Sequence, residues 1–225
     1  MRWTRPKWRR SGSAEAAVAE DSRCVVLATR SAGKLRELGP MLASAGWSAT
    51  TLQALGVPET ADEESLECHD TFEANAVAKA QWFFARCGGR PVLADDSGLC
   101  VDALGGRPGV HSKRWSGRHD LSGPALDDAN NVFLQGALAG ATDRRAQYVC
   151  VVAWVGADGV RTARGETRGV LLSAPRGSGG FGYDPYFLSD ELGVTFAEAT
   201  REAKAGVSHR GRAVRALLSR LAGSR

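Results

Sequence analysis

Short apolar runs alternate along the chain with stretches of helical period. Residues 24–29 (Cys24-Val25-Val26-Leu27-Ala28-Thr29) form the kind of run a buried strand makes. A polar turn over 30–33 follows, and a helix starts at Lys34-Leu35-Arg36-Glu37-Leu38. Gly39-Pro40 is expected to kink or restart that helix, because proline lacks an N–H and clashes with the preceding turn. Residues 57–70 are acidic and read as a loop (Glu59, Asp62, Glu63, Glu64, Glu67, Asp70). A second helix is predicted from Asp70, which has capping-box spacing to Glu73. Phe72, Ala76, Ala80, Phe83 and Phe84 form its apolar face, and Gly88-Gly89 ends it.

Residues 91–94 (Pro91-Val92-Leu93-Ala94) are a second buried strand, running into Asp95-Asp96. Residues 105–123 are glycine-rich and irregular. A helix is predicted over about 124–139, with Pro124 in its first turn. Residues 148–155 and 160–167 pair as strands across Gly156-Ala157-Asp158-Gly159, a hairpin signal. The last helix runs from about Ser208, with Val214, Leu217, Leu218 and Leu221 on one face.

The net charge of +4 is uneven: residues 1–23 hold +3 and the remainder +1. The body is therefore not a basic nucleic-acid platform. Residues 1–22 lack an apolar period and read as a disordered basic extension, leaving residues 23–225 as one domain. No apolar run is long enough to span a bilayer, and the basic start lacks the apolar stretch of a secretory signal. A cytoplasmic location is the default. Five cysteines without a Cys-x-x-Cys pair read as small buried hydrophobes, not as a zinc site.

Four segments could hold chemistry. Thr29-Arg30-Ser31-Ala32-Gly33-Lys34 places a turn between a strand and a helix N-terminus, where free N–H groups and the helix dipole favour a phosphate. An ordinary strand–helix turn fits the same residues. A P-loop does not: Ala28 occupies the first glycine position and Leu35 follows the lysine. Asp95-Asp96-Ser97-Gly98 offers two carboxylates at a strand end, suited either to Mg²⁺ and an attacking water or simply to solvent. If the strand continues, the two point to opposite faces. Gly179-Gly180-Phe181-Gly182-Tyr183-Asp184-Pro185 is either a tight turn with core aromatics or a purine site. In the second case Phe181 or Tyr183 stacks on the base and Asp184 accepts from it. Lys204 and Ser208-His209-Arg210 put cations at the start of the last helix, against the dipole preference unless an anion lies there.

In order along the chain, these segments resemble the inosine triphosphate pyrophosphatase family, the non-canonical purine NTP pyrophosphatases. The resemblance rests on Leu27-Ala28-Thr29 with Gly33-Lys34 and Glu37-Leu38; Thr71-Phe72-Glu73 with Asn75-Ala76 and Lys79-Ala80; residues 94–109 from Ala94-Asp95-Asp96-Ser97-Gly98-Leu99 to Pro108-Gly109; residues 179–185; and Ser208-His209-Arg210-Gly211. It implies an α/β fold with a central mixed, twisted sheet flanked by helices, and two lobes around a nucleotide cleft. It also implies a homodimer and Mg²⁺-assisted hydrolysis of ITP, dITP or XTP to the monophosphate and pyrophosphate. Asp96 then matches the general base and metal-associated carboxylate, and Glu67 the metal-binding glutamate. Thr29, Arg30, Ser31, Ala32, Gly33 and Lys34 match the triphosphate turn, Lys79 a cleft lysine and Ser97 a substrate contact. Phe181, Gly182, Tyr183, Asp184, Lys204, His209 and Arg210 match nucleotide-recognition positions. Neither membrane nor nucleic acid is expected as a partner.

The chain departs from that pattern at several places. Ser31 replaces the usual asparagine, Arg30 a small residue and Ala74 a common glutamate. His111-Ser112-Lys113-Arg114-Trp115 replaces a more usual Tyr-Ser-Ala-Arg-Tyr. The competing readings are a pyrophosphatase for another modified nucleotide, and a nucleotide- or RNA-binding module without catalysis that uses the basic extension.

Overall fold

The computed structural model describes residues 23–223; the expectation of a disordered extension over 1–22 lies outside them. One six-stranded mixed sheet has the order β2-β1-β3-β4-β5-β6. β1 (Cys24–Leu27), β2 (Ser48–Thr51) and β3 (Val92–Val101) run parallel. β4 (Arg145–Gly156), β5 (Gly159–Leu171) and β6 (Phe187–Ser189) extend the sheet antiparallel. The expected α/β class with a mixed sheet and flanking helices is what the chain adopts. Among the described residues, no helix is long and apolar enough to cross a membrane.

Strand parity organises the core. One face, with Val26, Ala28, Val92, Ala94, Val149, Val151 and Ala153, packs against Phe72, Ala76, Ala80 and Phe83 of α2 (Phe72–Arg86). The other, with Val25, Leu27, Leu93, Cys150 and Val152, packs against Leu38 and Leu42 of α1 (Ala32–Ser44) and Ala213, Val214 and Leu217 of α5 (His209–Ala222). At the far end of the sheet, Leu99, Leu171, Phe187 and Phe196 gather with Leu134 of α3 (Gly123–Ala137).

Several expectations need correction. β3 does not end at Asp95-Asp96 but continues to Val101, because β4 pairs with it along its whole length. α1 does not restart at Gly39-Pro40 but continues as one helix through the proline, which is exposed, while Leu38 and Leu42 on either side of it are buried. Thr71, not Asp70, caps α2, its hydroxyl accepting from Ala74 N–H at 3.2 Å. Glu73 instead accepts from the Thr162 hydroxyl at 2.6 Å. The acidic segment is not a plain loop, since Ala61–Glu67 forms a 3₁₀ helix. Lys204 does not lie on the last helix. It belongs to a separate short helix, α4 (Arg201–Val207), divided from α5 by the extended backbone of Ser208. Of the cysteines, Cys87 and Cys150 are buried, but Cys24 and Cys68 are exposed and Cys100 is half-buried.

Candidate active site

Because β3 continues, Asp95 and Asp96 leave its two faces. Asp95 follows Leu93 onto the α1/α5 side, and Asp96 follows Ala94 onto the α2 side. The two carboxylates therefore have different partners.

Asp95 is fully buried, and its Oδ2 takes Lys34 Nζ at 3.0 Å and Arg210 Nε and Nη2 at 3.2 Å each. Burial alone would raise its pKa. The positive charges of Lys34, Arg210 and Lys79 outweigh that and hold it well below the usual carboxylate range. Arg210 also donates to Ser97 Oγ at 2.8 Å and pairs with Glu37. Glu37 Oε1 takes Lys204 Nζ at 2.7 Å, and Lys204 reaches Asp184 Oδ2 at 2.5 Å. Lys34, Arg210 and Lys204 are thus balanced by Asp95, Glu37 and Asp184 in one buried chain, which runs from the first turn of α1 to the Phe181 turn.

On the α2 face, Asp96 Oδ2 accepts from Asn75 Nδ2 at 2.9 Å and Oδ1 from the Ser97 N–H at 3.0 Å. Burial raises its pKa, and the like charge of Glu67 adds to this against Lys34 and Lys79. Glu67 pairs with Lys79, whose Nζ also donates to the Asp95 carbonyl at 2.9 Å. Although burial opposes it, Lys79 and Lys34 draw Glu67 down to about 2. Glu67, Asp96 and Lys79 thus form a second cluster, in which Lys79 pairs with Glu67 and the charges of Lys79 and Lys34 act on both carboxylates. Among the described residues, no three His, Cys, Asp or Glu side chains converge.

The phosphate-type turn is held locally. Ser31 caps α1, its hydroxyl accepting from Lys34 N–H at 3.4 Å, and the Thr29 hydroxyl accepts from Ser31 N–H at 3.2 Å. Arg30 leaves the turn for Glu63, which it meets at 2.8 Å. A side chain at Gly33 would have its Cβ 2.7 Å from the Phe181 ring, so this glycine lets the aromatic turn close on the helix start. In that turn Gly180 has φ +74° and faces Asp184, whose Oδ2 accepts from Phe181 N–H at 2.9 Å. Asp127 and Asn131 of α3 hold the N–H and carbonyl of Gly182 at 2.8 and 2.9 Å.

The two aromatics of this turn differ. Tyr183 is buried in the far apolar cluster and its hydroxyl donates to Ser112 O at 2.7 Å. Phe181 stays half-buried, with Lys204 Nζ and the Arg210 guanidinium 5.3 and 5.8 Å from its ring centre. His209 is buried and stacks on Tyr148, ring centres 4.6 Å apart at 9°. Burial, then Arg210 and Lys204, press its pKa well below 6.5.

The sequence-predicted residues thus gather around β3, α1, α2 and the Phe181 turn. Sequence reasoning missed Glu37, Asn75, Asp127 and Asn131 as supports. Helical spacing offered a signal for Glu37, three residues after Lys34 on one helix face. Arg114, whose Nη2 donates to Glu67 O at 2.7 Å, was also missed, although it keeps the arginine of the Tyr-Ser-Ala-Arg-Tyr pattern.

Residues 25–220 match the model of the Ham1 family. A dITP/XTP pyrophosphatase of Ralstonia nicotianae is 46% identical over 202 residues, covering 88% of this chain and 96% of that protein. One from Thermus thermophilus is 48% identical over 199 residues, covering 86% and 89%. Among solved structures, the Ham1 protein of Staphylococcus aureus superposes with a TM-score of 0.73 at 33% identity, covering 90% of this chain and all of that one. A nucleoside-triphosphatase, dITP/XTP pyrophosphatase, of Mycobacterium abscessus gives 0.62 at 39% identity, covering 87% and 98%.

Proposed function

The chain belongs to the Ham1 family, and on that premise we propose that it hydrolyses non-canonical purine nucleoside triphosphates (dITP, ITP and XTP) to the monophosphate and pyrophosphate. The observation that supports this best is the pairing of a phosphate-type helix start with the Glu67–Asp96–Lys79 cluster, joined by Lys34 and Lys79, which both donate to the Asp95 carbonyl.

In this reading Lys34, Lys79 and the N–H groups of Ala32 and Gly33 at the first turn of α1 receive the phosphates. Such first-turn groups have no acceptor within their own helix. Thr29 and Ser31 hold that turn, and Ser97 touches the substrate. Asp96 takes the proton of a water whose oxygen attacks the α-phosphorus. The bond from that phosphorus to the bridging oxygen of the β-phosphate breaks, and pyrophosphate leaves. A raised carboxylate pKa suits a base that must hold the proton it removes.

A Mg²⁺ ion would be held by Glu67 and Asp96, whose hard oxygens suit it and whose like charges already oppose each other in this cluster. When bound, it would offset charge on the phosphate oxygens. At the other end Phe181 stacks on the purine, while Tyr183 and His209 support the turn from the core. Asp184 holds the Phe181 N–H and Lys204 in place. In this reading Lys204 and Arg210, 5.3 and 5.8 Å from the centre of the Phe181 ring, read the 6-oxo group. A 6-amino group would face donors there and be rejected. A symmetric homodimer acting on the cytoplasmic nucleotide pool completes the proposal.

The test is pyrophosphate release with Mg²⁺ over a panel of triphosphates, run in ¹⁸O-water. Turnover of dITP and XTP far above ATP and GTP, with label in the monophosphate, is expected. Label in pyrophosphate, or no preference for dITP and XTP over ATP and GTP, would contradict it.

A further inference from the structure

We infer that Arg30 is a positioning residue: it latches the acidic segment that presents Glu67 onto the phosphate turn, and does not itself bind the triphosphate. The inference rests on the pyrophosphatase reading above and departs from the role that the resemblance implies for position 30.

Arg30 stands in the middle of the turn, yet its guanidinium is committed elsewhere. Nε and Nη2 meet the two Glu63 oxygens at 3.1 and 2.8 Å. Nη1 donates to Val57 O at 3.1 Å, and Nη2 also reaches Pro58 O at 2.9 Å. A fork of this kind matches a carboxylate in one geometry only. Glu63 Oε1 also accepts from Thr60 N–H at 3.3 Å.

The segment needs such a tether. The 3₁₀ helix Ala61–Glu67 contains no buried residue, and only Leu66 packs against the core from its partly exposed position. Short 3₁₀ helices are weak by themselves, so polar contacts must set where this one lies. Its end is held by Arg114 on Glu67 O and by Lys79 on the Glu67 carboxylate. Its beginning is held by Arg30. Glu67 therefore faces Asp96 only while both ends are fastened, and Arg30 joins that arrangement to the turn that receives the phosphates.

The experiment compares Arg30→Ala, Glu63→Gln and the double variant by amide hydrogen exchange and by steady-state kinetics with dITP. Exchange over residues 57–67 should quicken about tenfold or more in each, while β3 and the body of α2 keep wild-type protection. Both single variants should lose about 10- to 100-fold in kcat/KM, the range a displaced catalytic group produces. The double variant should be no worse than the poorer single one. Melting temperatures should stay within about 3 °C of wild type. Loss of activity in Arg30→Ala with full activity and exchange protection in Glu63→Gln would overturn the latch and return Arg30 to the phosphates. Wild-type exchange in both single variants would overturn it as well. The exchange arm needs no turnover, so it decides on the latch even if no triphosphate is hydrolysed.

Discussion

Asp95 and Asp96 are consecutive in β3, yet their carboxylates stand on opposite faces of the sheet with unlike partners. Asp95 Oδ2 lies 3.0 Å from Lys34 Nζ, and Asp96 Oδ2 lies 2.9 Å from Asn75 Nδ2. The first joins a balanced chain of buried ions. The second sits beside a like charge. In the proposed reaction, two neighbouring residues of identical chemistry thereby take a structural and a reactive role.

Asp95→Asn should destabilise the protein strongly, because it leaves Lys34 and Arg210 buried without their shared counter-ion. Removing one partner of such a group costs about 3–5 kcal/mol, which for a chain of this size lowers the melting temperature by roughly 6–20 °C. Asp96→Asn should leave the melting temperature level or raise it, since the fold disfavours this carboxylate's charge. Thermal unfolding of the two variants side by side checks the assignment; equal losses would refute it.

Gly33→Ala separates helix propensity from site geometry. Alanine favours a helix over glycine by about 1 kcal/mol, but its Cβ would stand 2.7 Å from the Phe181 ring. The ring must move. KM for dITP should rise about tenfold while the melting temperature holds or increases. An unchanged KM would mean that Phe181 does not contact the substrate.

His209 gives stability a pH dependence of known sign. Its folded pKa lies well below 6.5, under burial and the charges of Arg210 and Lys204, with Asp95 opposing. Above pH 6.5 both folded and unfolded chains hold it neutral. As pH falls below 6.5, the unfolded chain gains a proton that the folded one refuses, so stability drops. His209→Phe keeps a ring against Tyr148 and should flatten the melting-temperature slope between about pH 7.5 and about 5.5, around the unperturbed value. An unaltered slope would assign the effect to other groups.

Much of this was legible in the sequence. The apolar runs at 24–29 and 91–94 located β1 and the start of β3, and period-2 geometry already placed Asp95 and Asp96 on opposite faces if the strand went on. That it does go on was hidden, because Asp95-Asp96-Ser97-Gly98 breaks the apolar pattern, and only pairing with β4 explains it. β2 and β6 are too short and too polar in part to announce themselves. The division of Lys204 from α5 depends on the backbone at Ser208, which no periodicity reports. The role of Arg30 was obscured for another reason: its partners lie 27 to 33 residues away, so its position in the turn pointed to phosphate.

Turnover of XTP by Asp96→Asn tests the central claim most directly. With Asp96 as the base, kcat should fall by about 10²- to 10⁴-fold, while the variant melts no lower than wild type. Near-normal kcat in a folded Asp96→Asn protein would contradict the account.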